Sequence, residues 1–337
     1  MNGPEILFKY RGQVEAEVLD FLREGSTQVD EMLRYQMGWS DGQLANLGKC
    51  LRPTFFLLAC ESLGGNLKQT LPVAVGIEFV HNFSLIHDDI EDGDDIRHHR
   101  ATTWAQFGRD PAIIGGLALW NEAYRVIGTA LARGMSPERV LEARRILNLT
   151  CSEIIEGQHQ DLSFETRNDV SLAEYIQMIG RKSAALFGTS LRLGALAAGA
   201  SNEEASRFDT YGRQLGLAFQ IRDDILGIWG EGSATGKPVG ADIARRKKSL
   251  PVLHAFEQSV GKDRAFLLDV YSRESVDDAD VNDVLEILQR WNCRYFAQGL
   301  AEDYRSKAMD ALSKTNIPWE FRLNFDALTS FILERDY

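Results

Sequence analysis

The sequence is poor in proline and cysteine, and its apolar runs are short. Eight prolines in 337 residues leave few helix breaks, and the abundance of alanine, leucine, glutamate and arginine favours an all-α fold. The four cysteines, Cys50, Cys60, Cys151 and Cys293, lack zinc-site spacing and the density of a secreted scaffold, which predicts reduced thiols and a cytoplasmic location. No apolar stretch reaches the length of about 18 residues that a membrane span requires, so no span is expected.

Basic residues are in the minority as well. Lysine and arginine number 37 against 49 aspartates and glutamates, and the formal net charge of −12 argues against a nucleic-acid partner. Met1–Arg11 has no apolar core of the kind that a signal peptide needs. Because neither a low-complexity segment nor an interdomain linker is evident, residues 1–337 are predicted to form one domain.

Helical periodicity covers much of the chain. It predicts helices over five long segments: Val14–Tyr35, Ala112–Arg133, Pro137–Gln160, Ser171–Ala200 and Glu203–Trp229. Two aspartate-rich motifs lie on or beside predicted helices, and the prediction of function depends on them.

The strongest signal is an apolar run, Leu71–Ile86, that leads into a dense group of carboxylates. If this run is helical, residues four and seven apart share a face, so His81, Asp88 and Asp92 point the same way. Two aligned carboxylates at the end of a buried face are costly unless a cation lies beside them. Oxygen ligands in this arrangement suit Mg²⁺ that is bound partly through a substrate phosphate.

This stretch and the loop after it have three other interpretations. An acidic helix end in solvent is the ordinary alternative. A calcium-binding loop is suggested by Asp92 and Gly93, but Ile90 and His99 occupy positions where such a loop requires oxygen ligands. The pair His98–His99 lacks a third nitrogen or sulfur ligand nearby, which argues against zinc.

A second apolar segment, Phe219–Gly227, also runs into paired aspartates. Gln220, Asp223 and Asp224 lie three and four residues apart on one helical face. A polar segment containing Lys237 and the basic stretch Arg245–Lys248 follows. A basic stretch is usually a solvated loop, but beside acidic motifs it can close over a diphosphate.

Basic side chains earlier in the chain are further candidate ligands for an anion. Lys49 and Arg52 are three apart at a predicted helix start, where both can reach one anion, although two surface cations are the simpler alternative for this pair alone. Two aspartate-rich helix ends, surrounding cations and an apolar channel suit the ionisation of an allylic diphosphate. Metals and cations would stabilise the leaving diphosphate, and an alkene would attack the allylic cation.

Together, the motifs between Leu47 and Pro251 resemble those of the trans-isoprenyl (polyprenyl) diphosphate synthase family. The resemblance implies an isoprenoid synthase-type bundle of helices around a central cavity, commonly a homodimer. It implies isopentenyl diphosphate and an allylic diphosphate as substrates, and three Mg²⁺ ions as cofactor. The metal ligands that it implies are Asp88, Asp89, Asp92, Asp223 and Asp224.

The resemblance also implies roles for other residues. Those that act on the allylic diphosphate or face its cation are Arg97, Lys182, Gln220, Lys237 and Lys247, with a helix break at Lys182–Ser183. Those that bind isopentenyl diphosphate are Lys49, Arg52, His81 and the position of His98.

The sequence departs from the family pattern at His98, at Gly227 and at Leu117, which stands where the family has the aspartate of a Gly-Asp pair. His98 replaces a second arginine that helps to bind isopentenyl diphosphate, and Gly227 replaces the last aspartate of the second motif. A neutral imidazole is a weaker ligand for diphosphate than a guanidinium. The loss at Gly227 is expected to be tolerated, so that Gly227→Asp changes little.

The resemblance predicts a short product, C20 first and C15 second. In the family an aromatic residue five positions before the first motif marks short products, and Phe83 holds that position, followed by the small Ser84. Two alternatives remain: a terpene cyclase or other single-substrate ionising enzyme on the same scaffold, and a non-catalytic synthase subunit. Intact Lys49, Arg52 and His81 argue against the first, and His98 favours it. Intact aspartates argue against the second.

Overall fold

The computed structural model describes residues 4–23, 25–40, 43–44, 47–97, 100–230 and 239–334. Helices dominate these residues, and the strands form two short antiparallel pairs, so the all-α prediction is confirmed. Within this part of the chain, no helix is both long enough and apolar enough to cross a membrane. All four cysteines are buried and unbridged. His98 and Lys237 lie outside the described residues.

The elements up to the middle of the chain are α1 (Glu5–Leu22), α2 (Gln28–Gln36), β1 (Trp39–Ser40), β2 (Gln43–Leu44), α3 (Leu51–Ser62), α4 (Leu67–Asp92), β3 (Ile96–Arg97), β4 (Arg100–Ala101), α5 (Thr103–Phe107), α6 (Arg109–Thr129) and α7 (Pro137–Glu165). β1 pairs with β2, and β3 pairs with β4.

The later elements are α8 (Leu172–Ile179), a π-helical turn (Gly180–Ala184), α9 (Ala185–Ala198), α10 (Asn202–Trp229), α11 (Ala241–Ala244), α12 (Leu250–Gln258), α13 (Gly261–Ser272), α14 (Asp278–Arg290), α15 (Cys293–Ser313) and α16 (Trp319–Leu333).

The described residues form two compact units. The first unit takes its residues from Met1–Ser152, Leu186–Gly212 and Ala311–Leu328, and the second from Glu153–Ala185, Arg213–Asp310 and Thr329–Tyr337. The prediction of one domain over residues 1–337 stays a prediction.

Helix α4 is the centre of the first unit, where it packs against α1, α3 and α6. Asn66 caps its start by accepting a hydrogen bond from the backbone N–H of Lys68. Gly76 allows α6 to approach closely, because a Cβ at this position would lie 2.6 Å from Ile127. Gly93 ends the helix in the left-handed conformation, at φ 68°, directly after Asp92. The acidic residues therefore occupy the last turns of a buried helix.

Two of the predicted helices are divided in the structure. The prediction of one helix over Val14–Tyr35 is wrong, because Thr27 and Asp30 form a capping box that starts a new helix at Gln28. The predicted helix Ser171–Ala200 is interrupted by the π-helical turn at Gly180–Ala184. A π-helical turn is often found at a functional site, and this one confirms the break that the resemblance implied at Lys182–Ser183.

Candidate active site

The acidic end of α4, formed by Asp88, Asp89 and Asp92, lies in the first unit. Asp92 is exposed, the side chain of Asp88 is 21% exposed and that of Asp89 only 3%. Carboxylates at a helix C-terminus are repelled by the helix dipole, so this arrangement is unfavourable without nearby positive charge.

Arg97 supplies part of that charge from the short β3–β4 pair. Its Nε donates a hydrogen bond to Asp89 Oδ1 at 2.6 Å, and its terminal nitrogen lies 3.6 Å from Asp88 Oδ2. Burial raises the pKa of Asp89 to about 6, and Arg97 opposes this shift. Asp89 therefore holds the Arg97 guanidinium beside Asp88.

Asp88 and Asp92 are one turn apart on the same face of α4, and their carboxylate oxygens suit a divalent cation. Asp89 suits one less well, because it already accepts a hydrogen bond from Arg97. Among the residues that the structure describes, no three His, Cys, Asp or Glu side chains are gathered as a preformed metal site. An ion at this end of α4 would need further oxygen ligands, and Mg²⁺ characteristically takes them from substrate phosphates and water.

Three predicted diphosphate ligands also lie in the first unit. Arg52, in the first turn of α3, has a terminal nitrogen 3.1 Å from Nε2 of His81, which is on α4. The Arg52 guanidinium lies 4.6 Å from the ring centroid of Phe187, a cation–π contact that holds it in place. Lys49 is half-buried two residues before α3 begins. Phe187 was not predicted, because this contact joins distant parts of the chain.

Phe83 and Ser84 have different surroundings on α4. Phe83 is 8% exposed, and its ring centroid lies 5.1 Å from that of His87 and 6.3 Å from that of Trp120 on α6. Ser84 is half-buried, and its hydroxyl donates to the His81 carbonyl at 2.7 Å. Phe83 therefore packs towards α6, whereas Ser84 stays close to the helix backbone near His81.

The acidic end of α10, formed by Asp223 and Asp224, lies in the second unit. Asp223 is half-buried, and Asp224 is 1% exposed. Asp224 accepts hydrogen bonds from the Tyr175 hydroxyl at 2.5 Å and the Leu250 N–H at 3.1 Å. Burial raises the pKa of Asp224 to about 6, although Lys247 and these hydrogen bonds oppose the shift. Tyr175 was not predicted, since only the fold brings it to Asp224.

Gln220 and the π-helical turn meet in the same unit. The Ser183 hydroxyl donates to Gln220 Oε1 at 2.6 Å, and Gln220 Nε2 lies 3.3 Å from Asp224 Oδ1. The turn approaches α7 closely at Gly157, where a Cβ would lie 2.4 Å from the backbone nitrogen of Lys182. The predicted group Lys182–Ser183, Gln220 and Asp224 is therefore brought together.

Three lysines in this unit have distinct partners. Lys182 Nζ lies 2.6 Å from Asp161 Oδ2, an acidic partner that sequence reasoning did not assign. Desolvation lowers the pKa of Lys247, but Asp242, Asp224 and Asp161 together raise it above its ordinary value. Lys248 instead donates to the carbonyls of Phe164 and Glu165 at the end of α7, at 2.7 and 3.0 Å, so it caps that helix.

Comparisons with known proteins concern the chain as a whole. Residues 40–288 match the family described as polyprenyl synthetase. A Mycobacterium tuberculosis protein named (2E,6E)-farnesyl diphosphate synthase is 35% identical over 325 residues, which cover 93% of this chain and 89% of that protein. A Methanothermobacter thermautotrophicus short chain isoprenyl diphosphate synthase is 36% identical over 330 residues, which cover 95% and 99%.

A solved structure shares the fold over nearly the whole length. The crystal structure of geranylgeranyl pyrophosphate synthetase from Pyrococcus horikoshii aligns with a TM-score of 0.88 and 31% identity, covering 98% of each chain. The architecture is thus that of the all-α isoprenoid synthases. The chain belongs to the polyprenyl synthetase family, and it is a prenyltransferase enzyme, as the sequence predicted.

Proposed function

We propose that the chain condenses isopentenyl diphosphate with an allylic diphosphate to give a short trans-prenyl diphosphate. The observation that carries the proposal is the contact between Arg52 and His81 in the same unit as the acidic end of α4. A guanidinium paired with an imidazole provides a binding position for a second diphosphate, which an enzyme with one substrate does not need.

The metal ligands in this proposal are Asp88, Asp92 and Asp223. Mg²⁺, with three ions expected, would stabilise charge on the leaving diphosphate. Asp89 and Asp224 already accept hydrogen bonds from Arg97 and Tyr175, so we propose that they position these neighbours. Metal coordination by Asp89 and Asp224 stays a prediction.

The protein's own residues then bind and orient the reactants. Arg97, Lys182 and Lys247 bind the allylic diphosphate, with Lys237 as a further predicted ligand. Lys49, Arg52 and His81 bind isopentenyl diphosphate, and His98 is a further predicted ligand. Gln220, whose amide is oriented by Ser183, faces the allylic cation until the alkene attacks it and a proton is lost.

A C20 product is proposed first and a C15 product second. The buried ring of Phe83 supports a short channel, and the small Ser84 beside it supports the longer of the two products. The names of the relatives, a farnesyl and a geranylgeranyl synthase among them, cover both lengths.

We also propose that the chain forms a homodimer in the cytoplasm. Apolar side chains on α6 support the dimer, because Ile114 is 55% and Leu117 50% exposed. Sedimentation of the purified chain at several concentrations would test the dimer directly.

The activity test uses the purified protein with geranyl and farnesyl diphosphate, with and without isopentenyl diphosphate, in Mg²⁺ or in chelator. Chromatography of the dephosphorylated products should show chain extension only when Mg²⁺ and both substrates are present. Turnover of the allylic substrate that is indifferent to isopentenyl diphosphate would establish the cyclase alternative. A protein with no turnover that raises the activity of a partner synthase would establish the non-catalytic alternative.

A further inference from the structure

A chain of side-chain hydrogen bonds runs from α5 through α2 to α4 and ends on the carboxylate of Glu78. The Thr103 hydroxyl donates to Gln36 Oε1 at 2.6 Å, and Gln36 Nε2 donates to Asn82 Oδ1 at 3.2 Å. Asn82 Nδ2 in turn donates to Glu78 Oε1 at 3.2 Å. Because every donor points towards Glu78, the hydrogen bonds polarise one another and fix one oxygen of its carboxylate.

The second oxygen of this carboxylate, Oε2, is buried and has no hydrogen-bond partner among the residues that the structure describes. Glu78 is 3% exposed, and ionisation of a carboxyl group in such a position is costly. Burial accordingly raises the pKa of Glu78 to about 7, and the charge of Arg52 is the largest influence in the opposite direction. At neutral pH Glu78 is therefore divided between its neutral and its ionised form.

Arg52 and His81 are the neighbours of Glu78 that the proposed function assigns to a diphosphate. Arg52, on α3, has a terminal nitrogen 3.1 Å from His81 Nε2. His81 follows Glu78 by three residues, so the two side chains share a face of α4. A ligand that binds to Arg52 and His81 consequently changes the electrostatic surroundings of Glu78.

The other titratable groups around this position are paired or neutral in the part of the chain that the structure describes. Cys50, just before α3, stays neutral because burial raises the pKa of its thiol well above the ordinary value. Behind Cys50, α1 presents Arg11 and Glu15, which pair with each other at 2.7 Å. α6 packs on α4 through the apolar Ile127, which lies against Gly76. Charge at Arg52 is therefore the main external influence on Glu78.

We propose that isopentenyl diphosphate binds at Arg52 and His81 together with a proton, which Glu78 takes up from solvent at Oε2. A diphosphate beside Arg52 offsets the positive charge that favours the ionised carboxylate, so the neutral form of Glu78 becomes the favoured one. The hydrogen bond from Asn82 holds the carboxyl group in place through this change. Glu78 is thus a positioning residue that acts through Arg52, and this inference rests on the proposed function.

Affinity for isopentenyl diphosphate is consequently expected to fall as pH rises. Below about pH 7 the free protein already carries the proton on Glu78, so the contribution of Glu78 is constant. Above pH 7 an ionised Glu78 must be protonated on binding, which costs about tenfold in affinity for each further pH unit. Relative to Glu78→Gln, the wild-type KM for isopentenyl diphosphate should rise about tenfold between pH 7 and pH 8.5. The KM for the allylic diphosphate should not follow this difference.

Calorimetry of isopentenyl diphosphate binding at pH 8, in two buffers with different ionisation enthalpies, counts the protons. The wild type should take up about one proton more than Glu78→Gln. Subtracting the variant removes the titration of the ligand and of His81, because both are common to the two proteins. Glu204→Gln changes a buried carboxylate that pairs with Arg207 in the same unit, so it should match the wild type. Glu78→Ala takes the place of Glu78→Gln if the latter does not fold by circular dichroism.

The same measurements separate this inference from the proposed function. If the wild type makes no prenyl product but binds isopentenyl diphosphate with the additional proton, the reaction is misassigned and the role of Glu78 stands. An equal proton count in the wild type and the folded Glu78 variant would overturn the inference, as would KM profiles that run parallel from pH 7 to pH 8.5. A purely structural Glu78 would give both of these results, whatever its effect on melting temperature.

Discussion

Lys182 Nζ lies 2.6 Å from Asp161 Oδ2, and the two side chains are 20% and 23% exposed. A partly exposed pair of this kind contributes at most about 1 kcal/mol to stability. Its main effect is therefore to fix the position of the Lys182 side chain. An ammonium on a flexible four-carbon stem needs such a partner to stay in one place. We expect Asp161 to position Lys182 for the allylic diphosphate.

Asp161→Asn is expected to raise KM for the allylic diphosphate about tenfold, since the ammonium loses its charged partner. Steady-state kinetics of a double-mutant cycle provide the test. Lys182→Ala/Asp161→Asn should be no worse than Lys182→Ala, because Asp161 acts through Lys182. Arg181→Ala, which removes the neighbouring cation paired with Glu156 at 3.5 Å, is the control. Additive losses in the double variant would contradict the positioning role.

Asp88→Ala and Asp223→Ala are each expected to lower kcat by about 100-fold or more, with a smaller effect on KM. Stabilisation of the leaving diphosphate acts mainly in the transition state. Kinetics at saturating Mg²⁺, together with circular dichroism to confirm folding, would measure this effect. Asp95→Ala, which removes an exposed carboxylate from the loop after α4, should leave kcat nearly unchanged. Near-normal turnover of Asp88→Ala would remove the metal assignment.

Ser84→Phe is expected to shorten the product while condensation continues, because an aromatic ring would fill space near His81 and below Asp88. Chromatography of the dephosphorylated alcohols measures the chain length. Ser84→Ala removes the hydrogen bond to the His81 carbonyl without adding bulk, so it should keep the native product length. An unchanged product from an active Ser84→Phe enzyme would mean that the channel runs elsewhere.

Glu78 is expected to make the stability of the protein fall as pH rises. It is 3% exposed, and burial raises its pKa to about 7, although Arg52 and the hydrogen bond from Asn82 oppose this shift. The unfolded pKa is about 4.3. Between these two values the folded state keeps a proton that the unfolded chain has lost. The contribution of Glu78 to stability is therefore most favourable below pH 4.3 and declines until about pH 7.

Glu78→Gln removes this titration and mimics the protonated side chain. The variant should exceed the wild type in stability by on the order of 3 kcal/mol at pH 8, and by much less at pH 5. Urea unfolding at the two pH values measures the difference. Parallel pH dependence in the variant and the wild type would show that Glu78 does not titrate in this range.

Local sequence signals predicted the elements that carry the site. The helical period and the end of the apolar run placed Asp88 and Asp92 at the end of one helix, and the same reasoning placed Asp223 and Asp224 on α10. The division of Val14–Tyr35 into two helices was missed. The capping box of Thr27 and Asp30 was present in the sequence, but an unbroken amphipathic pattern concealed it.

By itself, the sequence determined the helical class, the two acidic helix ends and the family, because periodicity and motif spacing are properties of neighbouring residues. The tertiary structure decided which side chains those motifs meet: Phe187 against Arg52, Tyr175 on Asp224, Asp161 beside Lys182 and Asp242 over Gly227. Each of these contacts joins residues far apart in the chain. Their distances follow from helix packing and from the burial of charge, which spacing along the sequence does not encode.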